Sequence, residues 1–171
     1  PGGEDARVSV EYLRKQEQPL VREYYVAAGS RATVSVDDLL PYDEVSMHVT
    51  SDQGIVAERA MYYNYGGLYP GGDASIGMPR VSTGWFLAEG YCGGDFESWI
   101  LLQNPQTEAA NVHVRYFGNR GVLEEQDYRV EGRSRFTIHA DAIPGLEVAE
   151  FSAEITSDQP VVAGIRESVD R

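Results

Sequence analysis

The feature that most constrains this chain is that it contains one pattern twice. Val8-Ser9-Val10-Glu11-Tyr12 returns as Val112-His113-Val114-Arg115-Tyr116, 104 positions on, and Ser30-Arg31 returns as Ser134-Arg135 at the same spacing. Thr50-Ser51-Asp52-Gln53 returns unchanged as Thr156-Ser157-Asp158-Gln159, 106 positions on. Three blocks in one order, offset by two residues inserted near residues 144–150, describe a duplicated structural unit. Pro1 then stands opposite Pro105, so the first copy has no counterpart of residues 85–104 and is expected to begin inside a repeat. The opening Pro-Gly-Gly without methionine fits a piece of a longer array.

Within each copy the apolar residues alternate with polar ones, the period of a half-buried strand rather than a helix. Val8, Val10 and Tyr12 alternate with Ser9 and Glu11; residues 20–26, 32–36 and 45–49 follow suit. Residues 55–63 open on consecutive apolar residues, as expected of a strand covered on both faces. The second copy predicts strands at 85–89, 97–103, 112–117, 124–130, 136–140, 151–156 and 161–165. Seven short strands in one unit are the count of an immunoglobulin-like sandwich. The expected architecture is all-β, immunoglobulin-like antiparallel sandwich repeats, one complete and one truncated. Residues 1–63 form the truncated first repeat, residues 64–82 a Gly/Tyr-rich connector, and residues 83–171 the second repeat. Five strands leave the first repeat with open edges, a hazard for association. The gap is expected to be filled by the Trp85–Gln103 stretch folding back or by another copy of the chain.

Composition narrows the function classes. A net charge of −13 argues against a nucleic-acid partner, which needs clustered Lys and Arg for phosphates, and against docking on an anionic membrane. One cysteine excludes an internal disulfide, and Cys92, with no cationic neighbour in sequence to lower its pKa, reads as a small half-buried residue. The sequence holds no signal peptide and no apolar run long enough to span a bilayer, so an export signal is expected outside this stretch.

No motif spells out a reaction. Trp85, Trp99, Tyr62, Tyr63, Tyr65 and Tyr69 are candidates for a sugar-stacking surface, although tryptophan in a sandwich strand more often fills the core, and Trp99 fits the place of the buried pin. Arg31 and Arg135, each after Ser at a strand start, read as ties between loop and sheet. Glu58 and Arg59 are adjacent in a strand and leave opposite faces, so each is expected to meet a charge on a neighbouring strand. Glu89, Asp95 and Glu97 contain the two carboxylates a glycosidase needs, and Asp37, Asp38, Asp43 and Glu44 offer oxygen ligands for calcium without EF-hand spacing. Acids are common in loops, and the structural reading is preferred for both groups. His48, His113 and His139 sit singly on outward positions without zinc-ligand spacing, and Ser30 and Ser134 lack a nucleophile elbow. No catalytic residue, cofactor or metal ligand is assigned.

At Trp85-Phe-Leu-Ala-Glu-Gly, Leu102-Gln-Asn-Pro, Ser134-Arg135 and Ser157-Asp-Gln-Pro-Val-Val-Ala the chain resembles a bacterial tandem β-sandwich repeat family of unknown function. The first copy matches at Gly29-Ser-Arg-Ala-Thr-Val and Ser51-Asp-Gln-Gly-Ile-Val-Ala-Glu-Arg-Ala-Met-Tyr, departing at Gly54 where Pro160 is usual. In the second copy, Gly164-Ile165 replaces Glu58-Arg59. The resemblance implies modules of large exported or cell-surface proteins and no established catalytic residue. The expectation is a non-enzymatic structural or adhesive module whose partners are neighbouring repeats of the same chain, another copy completing the truncated repeat, or a cell-wall or surface glycan. A carbohydrate-binding module is the alternative.

Overall fold

The computed structural model describes residues 1–15, 17–65 and 69–169, with the side chains at 63–65, 69, 70 and 169 outside that description. The chain is an all-β protein of antiparallel sheets, interrupted only by a 3₁₀ turn at Ala140–Ala142 among the described residues. It divides into two compact units: Pro1–Glu11, Val21–Tyr42 and Met47–Pro79 form the first, and Tyr12–Leu20, Asp43–Ser46 and Arg80–Arg171 the second.

The second unit is the complete sandwich. Its strands are β6 (Ser82–Tyr91), β7 (Phe96–Asn104), β8 (Ala110–Gly118), β9 (Gly121–Val130), β10 (Ser134–His139) and β11 (Glu150–Val169). The first half of β11 lies between β6 and β8, and β9 closes that sheet beyond β8. The second half of β11 pairs with β7, which pairs in turn with β10. The expected strands at 151–156 and 161–165 are therefore one continuous strand that crosses from one sheet to the other. The crossing falls where the ladder is interrupted between Thr156 and Val161, and Pro160 sits there because it has no N–H to give. Inward residues are apolar on alternate positions: Val112, Val114 and Tyr116 on β8, Ile100 and Leu102 on β7, Phe151, Ala153 and Ile155 on β11. Each such fully buried aliphatic side chain contributes roughly 1.5–3 kcal/mol, and this packing rather than any covalent link holds the two sheets together.

β1 (Ala6–Arg14) stands between β2 (Leu20–Val26) and β3 (Val45–Ser51) in a sheet that lies mostly within the first unit, where β4 (Glu58–Tyr65) also pairs antiparallel with β5 (Tyr69–Ile76). Residues 64–82, expected as a connector, thus contain a strand of their own. The strand expected at 55–63 begins later, at Glu58, and is not covered on both faces, since Val56 is 79% and Tyr62 88% exposed. Residues 32–36 form no strand. Their counterpart, β10, bonds only to β7, and the first unit holds no β7 counterpart; alternation alone cannot make a strand without a partner. The Trp85–Gln103 stretch belongs to the second unit as β6 and β7, so it does not complete the first.

Several hydrogen bonds recur at the spacings of 104 and 106 residues. The Arg7 N–H donates to Asp52 Oδ1 at 2.8 Å, and the Asn111 N–H donates to Asp158 Oδ1 at 2.8 Å. Ser30 Oγ donates to the Ala27 carbonyl at 2.6 Å, and Ser134 Oγ to the Glu131 carbonyl at 2.7 Å. The Gly29 N–H reaches the Gly2 carbonyl at 2.9 Å, and the Arg133 N–H the Gln106 carbonyl at 2.7 Å. Gly29 and Arg133 share the left-handed backbone, with φ of 64° and 52°. Arg133 is the strained member, because a side chain there costs what glycine avoids.

One acid limb follows. The backbone N–H and then the side-chain amide of Asn111 hold Asp158 below the usual carboxylate range. A depressed folded-state pKa contributes stability above the unfolded value that is lost as pH falls through the folded one. Acid unfolding of the chain below about pH 4 is expected to be shallower in Asp158→Asn than in the parent, measured by circular dichroism from pH 6 downward. Equal acid limbs in the two proteins would refute the assignment.

Candidate functional site

Two surfaces of the second unit gather the chemistry-bearing residues. The first is the outer face of β10, β7 and the second half of β11, where register sets His139 beside Trp99 beside Arg166, and Arg135 beside Gln103 beside Val162. Trp99 and His139 stack with centroids 3.9 Å apart and planes 7° from parallel. Trp99 is therefore not the buried pin of the sandwich. The inward residue is Ile100, one position on, because the pleat sends neighbours to opposite faces. His139 Nε2 lies 3.7 Å from both Glu97 and Asp141 and is shielded from solvent without a hydrogen bond. Arg135 is 8% exposed and is spent on Glu44 at 2.9 Å and the Thr137 hydroxyl at 2.7 Å. Arg31, its counterpart, is exposed and makes no such contact with a described residue.

The second surface is a shallow recess of about 430 Å³ lined by Gly93, Gly94, Asp95, Phe96, Glu97, Asp141, Glu147 and Val148. It brings Asp95 and Glu97 together with Asp141 and Glu147, but Glu89 is not part of it, so the three-acid grouping read from the sequence does not form. Asp141 is already engaged, accepting the Ser98 N–H at 2.8 Å and the thiol of Cys92. Cys92 is fully buried rather than half-buried. Burial, reinforced by that carboxylate, pushes its thiol up to about 12. It stays protonated at neutral pH and donates to Asp141, the opposite of what a nucleophile requires.

The remaining candidates have structural partners. Trp85 packs against the core and donates its indole N–H to the Val161 carbonyl at 3.0 Å, which ties β6 to the crossing of β11. Arg59 approaches Asp73 on the paired strand at 3.7 Å, while Glu58 is exposed. Asp43 meets Arg14 at 3.0 Å and Glu44 meets Arg135, so neither is waiting for calcium. Among the described residues no group of three or more His, Cys, Asp or Glu is placed to hold a metal ion. Tyr62 projects into solvent; the side chains of Tyr63, Tyr65 and Tyr69 lie outside the described residues. His48 and His113 face carboxylates, His48 with Glu11 at 3.4 Å and His113 with Asp127 at 2.8 Å. Those pairs were invisible in the sequence because the partners lie on neighbouring strands.

Sequence reasoning also missed Asn104, which follows the strand expected at 97–103. It is fully buried, and its amide donates to the carbonyls of Glu108 at 2.8 Å, Val130 at 3.1 Å and Glu131 at 3.2 Å, while its Oδ1 accepts the Gln106 N–H at 3.0 Å. One side chain thus ties the turn after β7 to the turn after β9. The only signal was its place in the Leu102-Gln-Asn-Pro block.

No family model matches the chain, and no curated protein matches it. Among solved structures it is similar to the Anabaena sensory rhodopsin transducer, at 20% sequence identity and a TM-score of 0.45, over 52% of this chain and 100% of that one. At that overlap the likeness carries no functional assignment. No helix of the described residues is long and apolar enough to cross a membrane.

Proposed function

We propose that this chain is a non-catalytic structural or adhesive repeat module of a larger exported or cell-surface bacterial protein, of the tandem β-sandwich family its motif blocks resemble. The observation that carries the reading is the recurrence of the same turn-locking hydrogen bonds in both copies, Arg7 to Asp52 and Asn111 to Asp158. Polar residues reused at matched positions to hold backbone are what a repeated building block needs, and chemistry needs groups left free for a substrate. Cys92, Asp141 and Arg135 instead have their polar atoms spent within the fold.

A second reading, carbohydrate binding, is supported by the half-exposed Trp99–His139 stack and by Tyr62 at 88% and Phe86 at 78% exposure. A titration of the chain with soluble cell-wall and surface glycans, read by tryptophan fluorescence, separates the two. The module reading expects no saturable change. Saturable quenching that disappears in Trp99→Ala or Tyr62→Ala would replace it with the second.

A further inference from the structure

Residues 1–79 hold no counterpart of β6 and β7, and the second copy shows what those two strands do. In the second unit β6 lies along the outside edge of β11, and the inward residues Phe151, Ala153 and Ile155 are buried to 4% or less. Their counterparts Val45, Met47 and Val49 on β3 are only half-buried, and β3 is the last strand of its sheet. In the second unit β7 pairs with β10, and Ile138 and Ala140 are buried at 4% and 0%. The matching Val34 and Val36 keep the apolar alternation but are half-buried and join no strand among the described residues.

The corner that receives the end of β7 is nevertheless already formed. The Gly29 N–H bonds to the Gly2 carbonyl, and the Ala28 N–H donates to Asp5 at 2.7 Å, so the first turn and the turn after β2 are locked together. Carried back by the repeat spacing of 104, the three carbonyls that take the Asn104 amide are those of Glu4, Val26 and Ala27.

We propose that the first unit is an acceptor for a two-strand segment of the β6–β7 type from a neighbouring repeat. One strand adds antiparallel to the free edge of β3, the next pairs with residues 32–36, and a terminal Asn-Pro sets its amide on the Glu4, Val26 and Ala27 carbonyls. The occupant's chemistry follows from the copy that already has it: large apolar residues at the places of Trp85 and Leu87, an Ile-x-Leu pair at those of Ile100 and Leu102, and the asparagine. This deepens the repeat-module reading and rests on it, since it names the partner that a module of this kind takes.

The test joins residues 82–104 of the chain directly ahead of Pro1, the position that Asn104 occupies before Pro105. The parent chain, this fusion and a fusion carrying Asn104→Ala in the added segment only are compared by amide hydrogen exchange. The fusion is expected to slow exchange at residues 32–36 and 45–51 by at least about tenfold, and the alanine version to lose most of that protection. A peptide of residues 82–105 added in trans to the parent chain is expected to protect the same amides saturably, which covers a fusion that folds poorly. Unchanged exchange at both segments in the fusion and with the peptide overturns the proposal. So does equal protection by the asparagine and alanine fusions, or a parent chain that dimerises by exchanging its own β6–β7. The glycan titration is read independently, so failure here leaves the module reading standing, and saturable glycan binding would sink that reading without altering these exchange rates.

Discussion

Asn104→Ala is expected to destabilise the second unit by about 3 kcal/mol or more. The loss has an identifiable origin. Alanine removes the donors that satisfy the Glu108, Val130 and Glu131 carbonyls and the acceptor for the Gln106 N–H, at a side chain that is itself fully buried. Each buried polar group left unpaired costs roughly 1–3 kcal/mol, partly offset by the second lone pair of each carbonyl. For a unit of this size the unfolding midpoint should fall by on the order of 10 °C or more, measured by calorimetry. Asn104→Asp is the sharper version. It keeps the shape but points one carboxylate oxygen at three carbonyl oxygens, so the charged form is disfavoured in the fold and the folded pKa rises. A raised pKa means that stability is present at low pH and lost as pH rises through the folded value. Asn104→Asp should therefore lie closer to the parent at pH 4 than at pH 7. A midpoint within about 2 °C of the parent in Asn104→Ala would show that the amide is not what holds the corner.

Gly132→Ala is expected to be comparably damaging, for a steric reason at the same corner. A Cβ built there would sit 2.0 Å from the Thr107 carbonyl oxygen and 2.5 Å from its carbon. Those atoms are backbone, fixed by the Arg133 N–H to Gln106 carbonyl bond and by Asn104, so they cannot swing aside as a side-chain tip would. Overpacking of this kind costs about 1–3 kcal/mol or more, and the two turns should separate before either strand deforms. The first copy supplies the control. Its residue at this position is Ala28, which is exposed, so Ala28→Gly is expected to change stability by only about 1 kcal/mol or less. If Gly132→Ala and Ala28→Gly leave equal midpoints, the close approach of the two turns is not a constraint.

These two residues mark the limit of what could be read in one dimension. The strand expected at 97–103 is β7, which ends at Asn104. That the amide crosses to the turn after β9 depends on partners up to 27 residues away, whose proximity no local pattern encodes. The same applies to His113 with Asp127 and to Arg115, which bonds Glu125 and Glu154 on the two flanking strands at 3.0 Å each. Residues 32–36 make the converse point. Their alternation is as regular as that of β1, yet only their counterparts in the second copy form a strand, because a ladder needs a second strand to accept its hydrogen bonds.

Alternation is a property of neighbouring letters, and it was enough to establish an all-β chain and the faces of β1 and β8. Pairing is a property of distant residues brought within about 5 Å of one another. Only the folded chain decided that β6 and β7 serve the second unit, that β11 runs unbroken through both of its sheets, and that Trp99 faces outward while Ile100 fills the core. A strand's sequence specifies which face seeks burial, whereas the strands laid against it determine which face is covered.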